Sequence, residues 1–227
     1  MNYLSKRVQK EISFISAERE NNRAKTKRMT VEELYNYLCS PQFLDEKSGN
    51  IFYNYYIYQY PASNEYEMRR QIQEFREKLE RPTNFVNALE LDLFKVFCEY
   101  LSNEKFGDTS LLEDTFEGDK THPEMVTTEL TSEANSDNFI RFVRDKIEAH
   151  MATNDGYNKP YVFIHGIGKM FPYMRTNVFL TRYEKYNDTS LYKIILFYPG
   201  HQEGNSFSLF DTLEDAHTYR AILLVNK

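Results

Sequence analysis

Residues 161–180 read YVFIHGIGKMFPYMRTNVFL. The first five residues are apolar or aromatic apart from His165, which predicts a strand that is buried on both faces. Gly166 and Gly168 then end the strand, and the sequence predicts a helix from about Phe171 to Tyr186. A buried strand that leads through a tight turn into a helix is typical of α/β folds.

The same alternation extends in both directions from this stretch. Downstream, YKIILFYPG (192–200) is a second apolar run, and SFSLF (206–210) and YRAILLV (219–225) are further strand candidates. Upstream, NIFYNYYIYQYP (50–61) and FVNALELDL (85–93) have strand character, and segments with helical spacing lie between the strands. The sequence therefore predicts a single α/β domain with a largely parallel sheet flanked by helices.

Two segments stand outside this alternation. Residues 1–29 are predicted to form an N-terminal helical extension, a basic amphipathic helix followed by a linker, which precedes an α/β domain over residues 30–227. Residues 1–30 hold eight basic and three acidic side chains, and the apolar positions at helical spacing are Leu4, Val8, Ile12 and Ile15.

An acidic, turn-rich insertion is predicted at about residues 102–136, with at most one short helix. Residues 102–137 hold ten acidic and two basic side chains, a local charge of −8.

The composition of the whole chain narrows the function classes. The formal net charge is −6, which disfavours nucleic acid as a partner of the entire surface. No apolar run approaches membrane-spanning length and no signal peptide is recognisable, so we expect a cytoplasmic protein with no membrane contact. Cys39 and Cys98 are far apart and lack a partner motif, which predicts buried free thiols.

The glycine turn raises the question of a phosphate-binding loop, because such loops follow a strand and open a helix. Two features argue against it. A Walker loop has four residues between its glycines and a serine or threonine after the lysine, whereas Gly166 and Gly168 flank one residue and Met170 follows Lys169. A dinucleotide-binding fingerprint requires a third glycine where Phe171 stands. The pattern favours a structural corner over a nucleotide site.

Local geometry gives these residues structural roles. Pro172 is predicted to lie in the first turn of the following helix, and Arg175 one turn further in, where it could pair with a carboxylate such as one from the acidic insertion. A second corner is predicted at Pro199–Gly200, with a turn that projects His201, Gln202 and Glu203. The candidate residues for a binding surface or structural corner are Gly166, Gly168, Lys169, Pro172, Arg175, Pro199, Gly200, His201, Tyr219 and Arg220.

Other chemistry is weakly supported. His165 and His201 could share the carboxyl edge of the sheet, but two histidines without a third ligand are a poor metal site. Glu90 and Asp92 near Lys95 could form the carboxylate pair of a nuclease, although alternating acids are common on solvated strand faces. There is no nucleophile elbow of the form GxSxG. We therefore expect no catalytic residue, no cofactor and no metal.

Three segments together resemble a known family. The first carries Gly166, Gly168, Phe171, Pro172, Met174 and Arg175; the second carries Phe197, Tyr198, Pro199, Gly200, Leu209 and Phe210; the third carries Tyr219, Arg220 and Ala221. Their order and spacing resemble the C-terminal half of the BrxB family, a small component of bacterial BREX phage-exclusion systems. The resemblance extends more loosely over most of residues 31–227.

The resemblance implies a role in a multi-protein anti-phage assembly, and it assigns no established catalytic residue to this chain. The favoured hypothesis is a non-catalytic accessory subunit that contacts other BREX components, with a PglZ-like protein as the preferred partner. One alternative is a nucleotide- or phosphate-sensing α/β domain that uses the glycine corner. A second alternative is DNA contact, either within the complex or through the basic residues 1–30.

Overall fold

The computed structural model describes residues 29–44, 55–186, 192–203, 206–215 and 222–223. The predicted basic helix and nearly all of its linker lie outside these ranges, as do residues 50–54 of the first predicted strand. The helices are α1 (Val31–Leu38), α2 (Pro41–Leu44), α3 (Glu65–Leu79), α4 (Leu93–Asn103), α5 (Leu111–Asp119), α6 (Pro123–Ala134), α7 (Asp137–Ala152), α8 (Ile167–Met170) and α9 (Thr176–Tyr183). The strands are β1 (Tyr55–Tyr60), β2 (Leu89–Asp92), β3 (Lys105–Phe106), β4 (Thr109–Ser110), β5 (Tyr161–His165), β6 (Lys193–Glu203), β7 (Ser206–Leu209), β8 (Leu213–Asp215) and β9 (Ile222–Leu223).

A five-stranded parallel sheet forms the centre of the molecule, in the order β2-β5-β6-β1-β9. The register places Glu90 opposite Phe163, and Ile57 opposite Leu196. β7 and β8 extend the sheet as antiparallel strands beside the carboxyl half of β6. The predicted α/β domain with a largely parallel sheet and flanking helices is confirmed.

Apolar side chains cover both faces of this sheet, which explains the unbroken apolar runs in the sequence. All six positions of β1 and all five of β5 are buried. On one face, which we call face A, the core contains Phe97 of α4, Phe139 of α7 and Tyr183 of α9. On the other, face B, Leu38 and Phe75 pack with Phe163 of β5.

The acidic insertion contains more regular structure than the sequence analysis predicted. It forms the β3–β4 hairpin and two helices, α5 and α6, rather than at most one short helix. Ser110 and Glu113 make a capping box that starts α5, and Pro123 occupies the first turn of α6. Val126 and Leu130 bury one side of α6, so the helix depends on only a few apolar positions. This sparse stripe explains why its periodicity is hard to recognise.

The strand predicted over residues 85–93 is shorter in the structure. Only Leu89–Asp92 pair as a strand, and Phe85 has a left-handed backbone with φ of 54°. Within the described ranges, none of the helices combines the length and apolar character that a bilayer crossing requires.

Candidate functional site

The first glycine corner follows β5 directly. Gly166 has a left-handed backbone, with φ of 74° and ψ of 11°, and the single turn of α8 begins after it. A β-carbon at Gly166 would collide with the Asp92 carboxylate. A β-carbon at Gly168 would lie 2.6 Å from the ring of Phe210 and 3.2 Å from Cγ of Pro199. The two corners predicted from sequence are therefore packed against each other.

The second corner differs from its prediction. β6 does not turn at Pro199–Gly200 but continues to Glu203, because β7 pairs with its carboxyl half and places Gly200 opposite Leu209. The amide of Phe210 donates to the carbonyl of Pro199 at 2.8 Å. His201 lies on this extension, where its Nδ1 is 2.5 Å from Oδ1 of Asp211.

The predictions for Pro172 and Arg175 are wrong in detail. Pro172 follows a cis peptide bond in a turn between α8 and α9, so it does not open a helix. Arg175 is the residue before α9 and has an extended backbone. Its guanidinium carbon lies 4.8 Å from the centre of the Phe171 ring, and its Nη1 is buried without a hydrogen-bond partner among the described residues. The stacking contact with Phe171 replaces the expected contact with a carboxylate.

Asp92 is the residue that connects the first corner to the neighbouring strand. It ends β2, and its Oδ1 accepts a hydrogen bond of 3.3 Å from the Lys95 amide at the start of α4. Its other oxygen forms an ion pair with Lys169 of α8. Burial acts to raise the pKa of Asp92, but the Lys169 ammonium, together with His165 and the Lys95 amide, holds the pKa below its ordinary value. Lys169 is therefore already neutralised by this protein's own carboxylate.

Glu90 and His165 form a second pair on the same edge. His165 Nε2 lies 3.2 Å from Oε1 of Glu90, and Arg76 of α3 approaches the other Glu90 oxygen at 3.9 Å. The bond to His165, helped by Arg76 and opposed by burial, lowers the pKa of Glu90. His165 is buried, and its Nδ1 has no hydrogen-bond partner within the described ranges.

A third polar contact lies at the end of β1. The Tyr60 hydroxyl donates to Glu65, and Arg69 donates to the other oxygen of the same carboxylate at 2.9 and 3.0 Å. Burial and the Glu65 charge raise the pKa of Tyr60 well above its ordinary value. We call Glu90, Asp92, His165 and Lys169, together with the two glycine corners, the carboxyl rim.

The structure brings together five of the ten predicted residues. Gly166, Gly168, Lys169, Pro199 and Gly200 meet at the carboxyl rim. Tyr219 and Arg220 lie outside the described residues. Asp92, the partner of Lys169, was not predicted, since it is 77 positions away and a single sequence does not give the strand order.

The charged and histidine side chains at the rim pair with other side chains of the same protein. His165 and His201 each contact a carboxylate, Glu90 and Asp211 respectively. In the part of the chain that the structure describes, no group of three or more histidine, cysteine, aspartate or glutamate side chains is arranged to hold a metal ion. The proposed nuclease pair is also split, because Glu90 contacts His165 whereas Asp92 contacts Lys169.

A family model and a known protein that match this chain carry the same description. The model of the family described as "BREX protein BrxB" matches residues 89–224, more than half of the chain. A protein of Bacillus cereus (strain H3081.97) described as "BREX protein BrxB" is 24% identical over 197 residues, which cover 87% of this chain and 96% of the relative. No solved structure matches. The chain therefore belongs to the BrxB family, which gives it a role in a BREX phage-defence system.

Proposed function

We propose that this protein is a non-catalytic accessory subunit of a cytoplasmic BREX complex and acts through protein–protein contacts. The observation that carries the proposal is the packing of the carboxyl rim. Gly168 is covered by the ring of Phe210, and Lys169 is paired with Asp92. The residues that resemble a phosphate loop are thus used to join two neighbouring corners, which makes the rim a rigid platform.

The platform also presents a recognisable contact residue. Phe210 is 37% exposed although its ring covers Gly168, and it has a left-handed backbone with φ of 56°. Aromatic rings held by a rigid backbone are frequent anchors of protein interfaces. We favour a PglZ-like component of the same system as the partner, and we place its contact at Phe210 on the rim.

Purification of the tagged protein from its native operon tests the subunit role. We expect mass spectrometry to identify other BREX components, with a PglZ-like protein in near-stoichiometric amount. Recovery of the protein alone at physiological ionic strength would overturn the proposal.

A pair of substitutions tests the position of the contact. Phe210→Asn removes the ring and keeps a residue that tolerates the left-handed conformation. Phe85→Asn is the matched control, because Phe85 is also left-handed and 44% exposed but lies at the amino end of β2, on the opposite edge of the sheet. We expect Phe210→Asn to reduce partner recovery at least about tenfold, the effect of a single interface anchor, and Phe85→Asn to leave it unchanged. Equal recovery of the partner with both variants would show that the partner does not contact Phe210 on the rim.

The sensing alternative has one observation in its favour, since a turn at the carboxyl edge of a parallel sheet is where α/β proteins often bind ligands. The Asp92–Lys169 ion pair opposes it, because an incoming phosphate would have to displace the carboxylate and would be repelled by it. A rise of several degrees in the melting temperature with ATP, GTP or a cyclic nucleotide would support sensing over the subunit role.

DNA contact through residues 1–30 would instead appear as duplex binding that weakens steeply with salt.

A further inference from the structure

The acidic insertion exposes large apolar side chains to an unusual degree. Phe106, Phe116 and Met125 are 80%, 64% and 65% exposed. They belong to three different elements, β3, α5 and α6, within one short part of the chain. Exposed phenylalanine and methionine side chains gain free energy when a partner covers them, so their concentration indicates a contact surface.

Carboxylates accompany these apolar side chains on the outer sides of the helices. On α5, Glu113 precedes Phe116 by three positions, which puts both on one stripe of the helix. On α6, Glu129 follows Met125 by four positions and shares its stripe. The two helices approach each other closely beside this surface, since a β-carbon at Gly118 of α5 would lie 2.9 Å from Cγ2 of Val126 of α6.

The charge of this surface is largely uncompensated. Residues 102–137 carry ten acidic and two basic side chains. Lys120 pairs with Glu117 at 2.7 Å, and Asp137 meets Arg182 at 3.4 Å. Among the described residues, no lysine or arginine pairs with Asp108, Glu124 or Glu129. A ligand that combines apolar and basic side chains would therefore fit both features of the surface.

The chain contains a segment with this composition. Residues 1–28 carry eight basic and three acidic side chains, and Leu4, Val8 and Ile12 recur at helical spacing. The segment is also long enough to reach the insertion. Twenty-eight extended residues span roughly 90 Å, whereas a domain of this length has a radius of gyration of about 17 Å.

We propose that residues 1–28 dock within the same molecule on the acidic insertion and cover Phe116 and Met125. The apolar positions of the segment contact these two side chains, and its lysines and arginines neutralise the surrounding carboxylates. This inference goes beyond the proposed function and does not depend on it, because the insertion and the carboxyl rim are different surfaces.

Hydrogen exchange of the full-length protein tests the docking. We expect backbone amides of residues 4–15 to exchange at least about tenfold more slowly than in a synthetic peptide of residues 1–28, because docked amides exchange only after local opening. The double variant Phe116→Gln/Met125→Gln should exchange these amides at the rate of the free peptide. Both positions are exposed and glutamine is a good helix former, so the fold is retained.

Tyr66→Gln is the matched control, because Tyr66 is 84% exposed on α3 and is also surrounded by charged side chains. We expect this variant to keep the protection of residues 4–15. Free-peptide exchange in the unmodified protein would overturn the docking. Equal protection in the double variant and the unmodified protein would also overturn it.

Two further measurements on the same samples separate docking in cis from other occupants. Protection that is constant from low to high protein concentration supports docking within one molecule, whereas protection that rises with concentration identifies a second copy and overturns the proposal. Protection that falls as salt rises from about 0.05 to 1 M supports the role of the carboxylates, since the screening length shortens from more than 10 Å to about 3 Å. Protection that is independent of salt would contradict that role.

Discussion

At Gly166 the backbone is left-handed, and the space that a side chain would need is filled by the Asp92 carboxylate. Gly200 is restricted differently, because a β-carbon there would collide with the backbone carbonyl of Ser208 on the paired strand. Gly168 faces side chains rather than backbone, the ring of Phe210 at 2.6 Å and Cγ of Pro199 at 3.2 Å. The glycines of the family pattern are therefore required by close packing at the rim, and to different degrees.

Gly166→Ala and Gly107→Ala form a matched pair that separates conformational strain from steric exclusion. Both glycines are left-handed, with φ of 74° and 68°, but a β-carbon at Gly107 would meet no atom within 4 Å. We expect Gly107→Ala to lower the free energy of unfolding by about 1–2 kcal/mol, the cost of the left-handed conformation. Gly166→Ala should cost a further 1–3 kcal/mol or so, because Asp92 must shift. Urea unfolding of both variants measures the difference.

Equal losses in the two variants would show that Asp92 moves aside freely. That result would contradict the close packing of the first corner.

Among the elements, the ion pair between Asp92 and Lys169 joins β2 and α4 to α8. Both side chains come from separate segments, so the pair fixes the position of α8 against the edge of the sheet. The pKa of Asp92 is lowered on folding. A lowered carboxyl pKa means that the folded state binds its proton less readily than the unfolded state, so the charged form stabilises the fold.

Asp92→Asn removes this charge and retains a side chain that can cap α4. We expect the free energy of unfolding at pH 7 to fall by about 2–3 kcal/mol, because Lys169 loses its partner in a half-buried site. The stabilisation by the Asp92 charge is fully present above the pKa of an unfolded aspartate, about 3.9, and is lost as pH falls through the lowered pKa of the folded state. The difference between the variant and the unmodified protein should therefore shrink below about pH 4.

Asp145→Asn is the control for this measurement, since the Asp145 pair with Arg144 is exposed and should contribute less than about 1 kcal/mol. A pH-independent loss in Asp92→Asn would assign the effect to packing and would contradict the electrostatic explanation.

In the whole molecule, faces A and B share the strands β1, β5 and β6. Leu38 of α1 is fully buried on face B, and its carbonyl accepts a hydrogen bond of 2.5 Å from Tyr161 of β5. This contact joins α1 directly to the central sheet. The long helices of face A should therefore unfold together with α1.

Leu38→Ala tests this cooperativity. We expect it to lower the free energy of unfolding by about 2–5 kcal/mol and to reduce the exchange protection of the amides of α7, on the opposite face, by the same free energy. Asn36→Ala is exposed on the same helix and should change stability by less than about 0.5 kcal/mol. Unchanged exchange protection of α7 in Leu38→Ala would show that the two faces of the described fold unfold independently.

The apolar runs at residues 161–165 and 193–198 were sufficient to predict a parallel sheet, because strands covered on both faces have few polar positions. The glycine corners were also predictable from backbone requirements. The extension of β6 beyond Pro199 was not, since it depends on pairing with β7. The Asp92–Lys169 pair was hidden for a similar reason, because the adjacency of β2 and β5 is a property of the topology.

The central position of β1 has a consequence for synthesis of the chain. Its neighbours are β6 and β9, so Tyr55 pairs with Ile194 and Tyr56 with Ile222. A ribosome that adds about 5–20 residues per second needs roughly 7–27 s to pass from the end of β1 to the start of β6. Throughout that interval β1, which has four tyrosines in six positions, has none of its native pairing partners, and such unpaired strands promote aggregation. Nascent chains that stop before β6 are thus expected to need protection from aggregation.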